Sequence, residues 1–586
     1  MCGIAGIFGP NGDDCSTVHK MARIIGHRGP NGTAAWSEQF KTGGVSFGHT
    51  RLSIVDIDGS NQPLFSDNGC VLIFNGEIYN HREIRKVNST YNFRTNGDGE
   101  AILAAYANRS DDIGWVRDLD GVWAFALWDP QLERLILSRD RFGVKPLLRN
   151  CTEQGNLLFG SEAKCLRLHP EYSPELDIRA LIGRIAFEYS LDDTTLFEDV
   201  HSISPGTIET WDISNGKAKL QNRSIWASDF PIPYGKWSPK THAESLLESL
   251  TSAVADRLMS DVPLGIILSG GLDSALIAAI SNEASQRTGY PLPACWTVAE
   301  SEDNPDWIAA ENVCQSLELQ HHQHLISENA FENSLPKLGW HGEDLDVTVL
   351  FFQPLFEKMS QSVKVGLCGQ GADELHAGYP RYKNLRSHCE LISKRLDSCK
   401  HPFSDQILSE NFISPGWRQG HNPDLVFADL GSTLNYELNN GQLTNFQLRL
   451  VDRHSMAHGL EVRVPFLGET HVTASSQIPT TWKLSSGSEK LGLREAARLT
   501  KLPIDIVNRP KLPAGRATSP TLIDNLLDEL KGHAQEYSND IPMVSKMFNG
   551  QPEISIGLRL FRSLHLTDGG VGRECKDLLT LLEDVD

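Results

Sequence analysis

Short apolar runs closed by glycine or polar residues dominate the first two hundred positions. "GCVLIFNGEIYN" (69–80), "GVWAFALWDP" (121–130) and "ERLILSRDRFG" (133–143) each predict a strand. Between them "GDGEAILAAYANR" (97–109) spaces its apolar residues as a helix does. This mixture predicts an α+β sheet domain over residues 1–215, closing near "ISPGTIETWDISNG" (203–216). A linker is expected over 216–240, with "SDFPIPYGKWSPK" (228–240) at its end. From 241 to 586 the pattern changes. "THAESLLESLTSAVADRLMSD" (241–261) predicts a helix, and strand and helix patterns then alternate, as they do in a parallel sheet with crossover helices. The final third reads as mostly helical.

At 586 residues the chain exceeds what one core sustains, so two or three domains are expected. With 54 basic against 75 acidic residues the net charge is −21. That balance argues against a nucleic-acid or anionic-membrane partner, either of which needs a clustered basic surface. No stretch approaches the ~20 apolar residues of a membrane helix. The start lacks a signal-peptide pattern, and a cytoplasmic location is expected. The eleven cysteines are scattered with no Cys-x-x-Cys pair, which indicates neither a disulfide framework nor a zinc site. "HHQH" (321–324) offers three histidines, a weak warrant for a metal on spacing alone. Trp296, Trp307 and Trp340 read as core or lid residues.

Two features carry chemistry. Cys2 follows the start methionine; if that methionine is removed, the thiol sits beside a free α-amine able to act as its base. Taken alone it reads as a chance cysteine. The second feature is "PLGIILSGGLDSALIAAISNEAS" (263–285), where a buried strand breaks at Ser269-Gly270-Gly271 and a helix begins. Glycines at such a junction let backbone N–H groups approach an anion, and the helix N-terminus adds positive potential. Ser269 and Ser274 offer hydroxyls, and Asp273 suits Mg²⁺ held between phosphates. A capped strand-to-helix turn is the alternative. "VKVGLCGQGADEL" (363–375) repeats the arrangement with Asp373 and Glu374. Ligands of parallel sheets bind beyond the carboxyl ends of the strands, where both loops would lie.

Read together, these segments resemble a known family. "MCGI", "HRGP" (27–30), "RLSIVD" (51–56), "FNGEIYNH" (74–81) and "RDRFGVKPL" (139–147) resemble the glutaminase domain of class II glutamine amidotransferases. "SGGLDS" (269–274) resembles the pyrophosphate loop of ATP pyrophosphatases, and "MAHGLEVRVPFL" (456–467) follows it as in glutamine-hydrolysing asparagine synthetases. The resemblance implies an αββα N-terminal-nucleophile hydrolase sandwich followed by a Rossmann-like ATP-pyrophosphatase domain. It implies Cys2 as the nucleophile on the glutamine amide, Arg51 on the substrate carboxylate, and Asn75 with the Gly76 N–H as the oxyanion hole. Asp98 would take the substrate ammonium group, with Glu77 lining the same site. In the second domain it implies Mg²⁺ on Asp273 and Asp373, and pyrophosphate among Ser269, Gly270, Gly271 and Ser274, with Gly369 also at the nucleotide. Leu268 and Val298 would border the adenine. Lys490 would stabilise the phosphates and the intermediate, although alone it reads as a solvated lysine on an amphipathic helix. The cofactors implied are ATP and Mg²⁺. The partners are small molecules (glutamine, ATP, and aspartate or another carboxylate), with a homodimer as the assembly considered.

Three positions depart from the family pattern, all in the second domain. Cys368-Gly369-Gln370-Gly371 stands where the family reads Ser-Gly-Glu/Asp-Gly, and glutamine cannot serve as a base at neutral pH. Gly468 ends "VPFL" where the family has an aspartate, and "RPKLPAGRATSP" (509–520) keeps only its Arg-Pro-Lys start. Three readings follow: an aspartate-amidating synthetase, an amidotransferase with another acceptor acid, and a non-catalytic scaffold that keeps the fold. The intact Cys2, Arg51, Asn75 and Asp98 set argues against the scaffold, as do the acids at 273 and 373.

Overall fold

The computed structural model describes residues 2–228, 233, 235–328, 333–347, 349, 352–413, 420–512, 518–567 and 571–585. The N-terminal part contributes twelve strands, of which the first six are β1 (Cys2–Gly9), β2 (Gly32–Phe40), β3 (Gly43–Arg51), β4 (Leu64–Phe65), β5 (Val71–Ile78) and β6 (Gly121–Asp129). The rest are β7 (Arg134–Arg139), β8 (Leu148–Cys151), β9 (Leu157–Gly160), β10 (His201–Ser202), β11 (Thr207–Ser214) and β12 (Lys217–Ile225). They form two antiparallel six-stranded sheets, ordered β10-β8-β9-β1-β3-β2 and β12-β11-β7-β6-β5-β4.

Alternation along β1 shows why the sheets stack. Ile4 and Phe8 point inward against Ile73, Trp128 and Leu137 of the other sheet. Ala5 and Ile7 point outward, under Val18 and Met21 of the helix Cys15–Ile24. The helix Glu100–Ala107 covers the outer face of the second sheet, where Ile102 and Leu103 join Leu72, Phe74 and Phe125. The result is four layers: helix, sheet, sheet, helix.

The expected boundary at 215 falls inside a hairpin. Asn215 and Gly216 both have positive φ, 54° and 70°, and β12 returns along β11 from Lys217 to Ile225. Most of β12 is exposed, so its sequence carries no apolar alternation. Nine residues assigned to the linker therefore belong to the sheet. Residues 229–232 and 234 of that expected linker lie outside the described residues.

The C-terminal sheet is parallel, with β13 (Leu264–Ile267), β14 (Ala294–Ala299), β15 (His321–Leu325), β16 (Val365–Leu367) and β17 (Glu461–Arg463) in the order β15-β14-β13-β16-β17. The chain runs outward from β13 in one direction and then restarts at β16 on its other side. That reversal makes the gap beyond β13 and β16 the topological switch point, where such sheets bind ligands. "HHQH" lies within β15, and His322 and His324 stack on Trp296 with ring centroids 4.2 and 5.8 Å apart. Trp296, Trp307 and Trp340 are all buried.

Apolar packing and buried ion pairs join the two domains. Leu52 and Ile54, following β3, pack with Val365 and Met456. Arg28 of the "HRGP" segment pairs with Glu162 at 2.9 Å and with Asp452 of the second domain at 2.9 Å. No helix among the described residues is long and apolar enough to cross a membrane.

Candidate active sites

The first site gathers at the start of β1. The strand register places Cys2 opposite Arg51, the last residue of β3. Cys2 donates its backbone N–H to Asn75 Oδ1 at 3.0 Å, and its carbonyl accepts from Arg28 Nε at 3.2 Å. With its oxygen engaged, Asn75 is wholly buried and its Nδ2 has no partner among the described residues. A buried amide N–H₂ left unpaired is costly unless something else completes it. Gly76 has no alternative residue, because a Cβ there would lie 2.1 Å from the Val122 carbonyl oxygen. Burial pushes the Cys2 thiol up from its ordinary pKa, opposed in part by the Leu52 backbone N–H and the Arg51 charge.

Arg51 is already oriented, with its guanidinium donating to the Asp56 and Ile57 carbonyls, both at 2.8 Å, and to Asn61 Oδ1 at 3.0 Å. Asp98 accepts the Ile78 backbone N–H on Oδ2 at 2.8 Å, and burial pushes its carboxyl up to about 6. Glu77 is buried and lies 3.4 Å from Arg463 of β17. Burial, then the Asp98 and Glu461 charges, hold its carboxyl well above the usual range. Register and one hydrogen bond bring Cys2, Arg51 and Asn75 together, and Asp98 lies close enough to Glu77, two residues beyond Asn75, for their charges to interact. Glu77 looks toward the other domain.

The second site lies at the carboxyl ends of β13, β14 and β16. Gly270 has φ +68°, and a Cβ there would press on the Asp306 carbonyl and Ala309 of the neighbouring helix. A Cβ at Gly369 would lie 2.8 Å from the Asp273 Cβ. Glycine at both positions lets the two loops close on each other. The Ser274 hydroxyl accepts the Ser269 backbone N–H at 3.1 Å, which folds the loop over Gly270 and Gly271. Leu268, Ser269, Ser274, Val298, Gly369 and Gln370 line one cavity, with Asp273 and Asp373 at its edge.

Lys490 joins the two acids. Its Nζ donates to both Asp273 oxygens, at 2.7 and 2.6 Å, and lies 2.5 Å from Asp373 Oδ1. It is 2 % exposed and holds a left-handed φ of 58°, a strained conformation for a residue with a side chain. The solvated reading of Lys490 is thereby excluded.

A second lysine, missed in the sequence, completes the cluster. Lys511 Nζ lies 2.8 Å from Asp373 Oδ2 and reaches both the cavity of Val298 and the adjoining one of Lys490, Arg494 and Arg509. Its signal was the retained Arg-Pro-Lys, which packs because Arg509 pairs with Asp306 at 2.7 Å. Residues 513–517 of that departing segment lie outside the described residues. The neighbouring lysine charges hold the Asp373 carboxyl far below the usual carboxylate range.

Among the described residues no three His, Cys, Asp or Glu side chains converge as a metal cage. Two carboxylates are nevertheless what a phosphate-bound Mg²⁺ takes from protein, the rest of its shell being phosphate and water. Asp273 and Asp373 match that donor set in kind, and in this structure Lys490 and Lys511 engage their four oxygens.

The other departures have local explanations. Gln370 is half-buried on the cavity wall. A Cβ at Gly468 would lie 2.7 Å from the Ala253 Cβ and 3.0 Å from Arg257 Nη1. An acid there would meet the buried Arg257 guanidinium, whose Nε has no partner among the described residues.

Comparison with known proteins matches this division. The family described as "Glutamine amidotransferase domain" matches residues 1–223, and "Asparagine synthase" matches residues 245–548. The chain belongs to the asparagine synthetase family, a family of glutamine-hydrolysing ligases. It is 28 % identical to the asparagine synthetase 1 of Bacillus subtilis, covering 87 % of this chain and 86 % of that one. It is 29 % identical to the asparagine synthetase of Rattus norvegicus, covering 87 % and 83 %.

Proposed function

We propose that the protein amidates a carboxylate with the nitrogen of glutamine, at the expense of ATP, and that the carboxylate is that of aspartate. The products are then asparagine, glutamate, AMP and pyrophosphate. One observation carries the reading. A single chain holds an N-terminal thiol beside an unpartnered buried amide, and a second site of two acids and two lysines at parallel-strand ends.

In the first domain, an N-terminal nucleophile sandwich on this reading, removal of Met1 frees the α-amine of Cys2 to take the thiol proton. The sulfur attacks the side-chain amide carbon of glutamine. Asn75 Nδ2 and the Gly76 N–H receive the developing oxyanion, ammonia leaves, and water releases glutamate from the thioester. Arg51 holds the substrate carboxylate and Asp98 its ammonium group.

In the second domain Ser269, Gly270, Gly271 and Ser274 cradle the leaving pyrophosphate, and Leu268 and Val298 flank the adenine. Asp273 and Asp373 would hold Mg²⁺, which neutralises phosphate charge when bound. An oxygen of the acceptor carboxylate attacks the α-phosphorus, and the bond to pyrophosphate breaks. Lys511 and Lys490 stabilise the charge that develops. Ammonia then attacks the acyl carbon of the adenylate, and AMP leaves.

Gln370 supports a second reading with a different acceptor acid. Positioned base help is worth ~10²–10⁴-fold, and glutamine supplies none. Neither Glu374 nor Glu343 stands on the cavity wall to replace it. Glu374 is wholly buried against the Tyr379 hydroxyl at 2.7 Å, and Glu343 pairs with Lys164 and Arg453. The test is purified protein with glutamine, ATP and Mg²⁺ against a panel of carboxylic acids, following AMP. Saturable AMP release with aspartate above all others supports the first reading, and preference for another acid supports the second. No release with any acid rejects both.

A further inference from the structure

The loop that holds Arg51 is itself held by the other domain. Asp56, whose carbonyl accepts from Arg51 Nη2, donates its backbone N–H to Asp261 Oδ2 at 2.7 Å. The Asp261 backbone N–H in turn donates to the Ile54 carbonyl at 2.9 Å. Asp261 therefore clamps the segment from both sides, using one donor and one acceptor. It stands three residues before β13, whose far end leads into Ser269 and the pyrophosphate loop. Beneath the clamp Leu52, Ile54, Val365 and Met456 are buried, with Val262 and Leu264 packed against them.

The clamped segment needs such support. Asp56 has φ +51°, a conformation side-chain-bearing residues adopt only when their surroundings impose it. Its own carboxylate accepts from the Ser60 hydroxyl at 2.8 Å within the loop and from the Asn96 backbone N–H at 2.9 Å, in the segment just before Asp98. Those bonds hold the loop within the first domain. The two bonds to Asp261 fix it to the second.

We infer that Asp261 is a positioning residue for glutamine: its carboxylate fixes the shape of the Arg51 loop, so the synthetase sheet sets the glutamine affinity of the other domain. The inference rests on the reading of Arg51 as the partner of the substrate carboxylate.

Steady-state glutamine hydrolysis by the full chain tests it, with ammonia-dependent AMP formation as the check on folding. Asp261→Ala is expected to raise KM for glutamine by about five-fold, the effect of about 1 kcal/mol, with kcat unchanged. Asp261→Asn keeps an acceptor oxygen and is expected to restore the wild-type KM. If Asp261→Ala fails to fold, Asp261→Ser, one atom too short to reach Asp56, takes its place. An unchanged KM in Asp261→Ala, or a KM in Asp261→Asn as high as in Asp261→Ala, overturns the proposal. Arg51→Ala separates the two levels. If it leaves KM unchanged, the reading of Arg51 itself fails. If it raises KM while Asp261→Ala does not, only the positioning role falls.

Discussion

Asn75 takes the Cys2 backbone N–H on its Oδ1 at 3.0 Å, and this fixes the carboxamide with its buried Nδ2 unpartnered among the described residues. The donor is in place before any substrate arrives. An oxyanion gains most from such a group, because no reorganisation is needed when charge develops.

Asn75→Ala should therefore lower kcat for glutamine hydrolysis by ~10²–10³ with little change in KM. Cys2→Ala should abolish hydrolysis outright. Both should leave ammonia-dependent AMP formation intact, since the adenylate forms in the other domain. Glutamate release and AMP release, measured on each variant, check the division. A Cys2→Ala protein that has lost ammonia-dependent synthesis while folded would count against it.

Lys490 and Lys511 should separate in the same way as their burial. Lys490→Met leaves the buried Asp273 with only the more distant Lys511, 4.0 Å away, as its cation, at a cost of up to ~3–5 kcal/mol. Its Tm should fall sharply and recover in part with Mg²⁺. Lys511, 24 % exposed at its side chain, should cost AMP formation but little Tm when changed to Met. Calorimetry with and without Mg²⁺ distinguishes them, and equal Tm losses would show that the lysines do not differ in this way.

The Asp98 carboxyl supplies a pH signature. Its pKa is pushed up to about 6 by burial, and only the ionised form accepts the substrate ammonium group. Below that value the free enzyme carries a proton on Asp98, so kcat/KM for glutamine should fall about tenfold per pH unit. Above it the profile should level. Asp98→Asn should lower kcat/KM and remove the acid limb. A wild-type profile flat down to pH 5 would contradict a raised Asp98 carboxyl as the group that limits glutamine binding.

Gln370→Glu restores a carboxylate on the cavity wall. If a base is what slows attack on an aspartyl adenylate, this variant should raise the rate with aspartate by ~10-fold or more. The comparison is steady-state AMP release at saturating aspartate. No gain would leave Gln370 a tolerated substitution.

How far the sequence shows these sites depends on how local their causes are. Both anion loops were legible because a buried strand must end where glycines take positive φ, as Gly270 and Gly371 do. Cys2, Arg51 and Asn75 were legible only through their motifs, since their meeting depends on the β1–β3 register. β12 was missed because an exposed hairpin strand has no apolar period. Lys511 was missed because a lysine after proline looks solvated until Asp373 is brought to it across the fold. Glu77 shows the same limit: its neighbour Arg463 lies 386 positions away, in the other domain.

The central claim is that one chain moves the amide nitrogen of glutamine onto an ATP-activated carboxylate. Supplying glutamine labelled with ¹⁵N at the side-chain amide, with aspartate, ATP and Mg²⁺ and no free ammonium, tests it directly. The account predicts ¹⁵N-labelled asparagine formed in equal amount to AMP, and neither product from Cys2→Ala. Glutamate and labelled ammonium released with no AMP and no labelled amide product, from aspartate or any other acid, would contradict it.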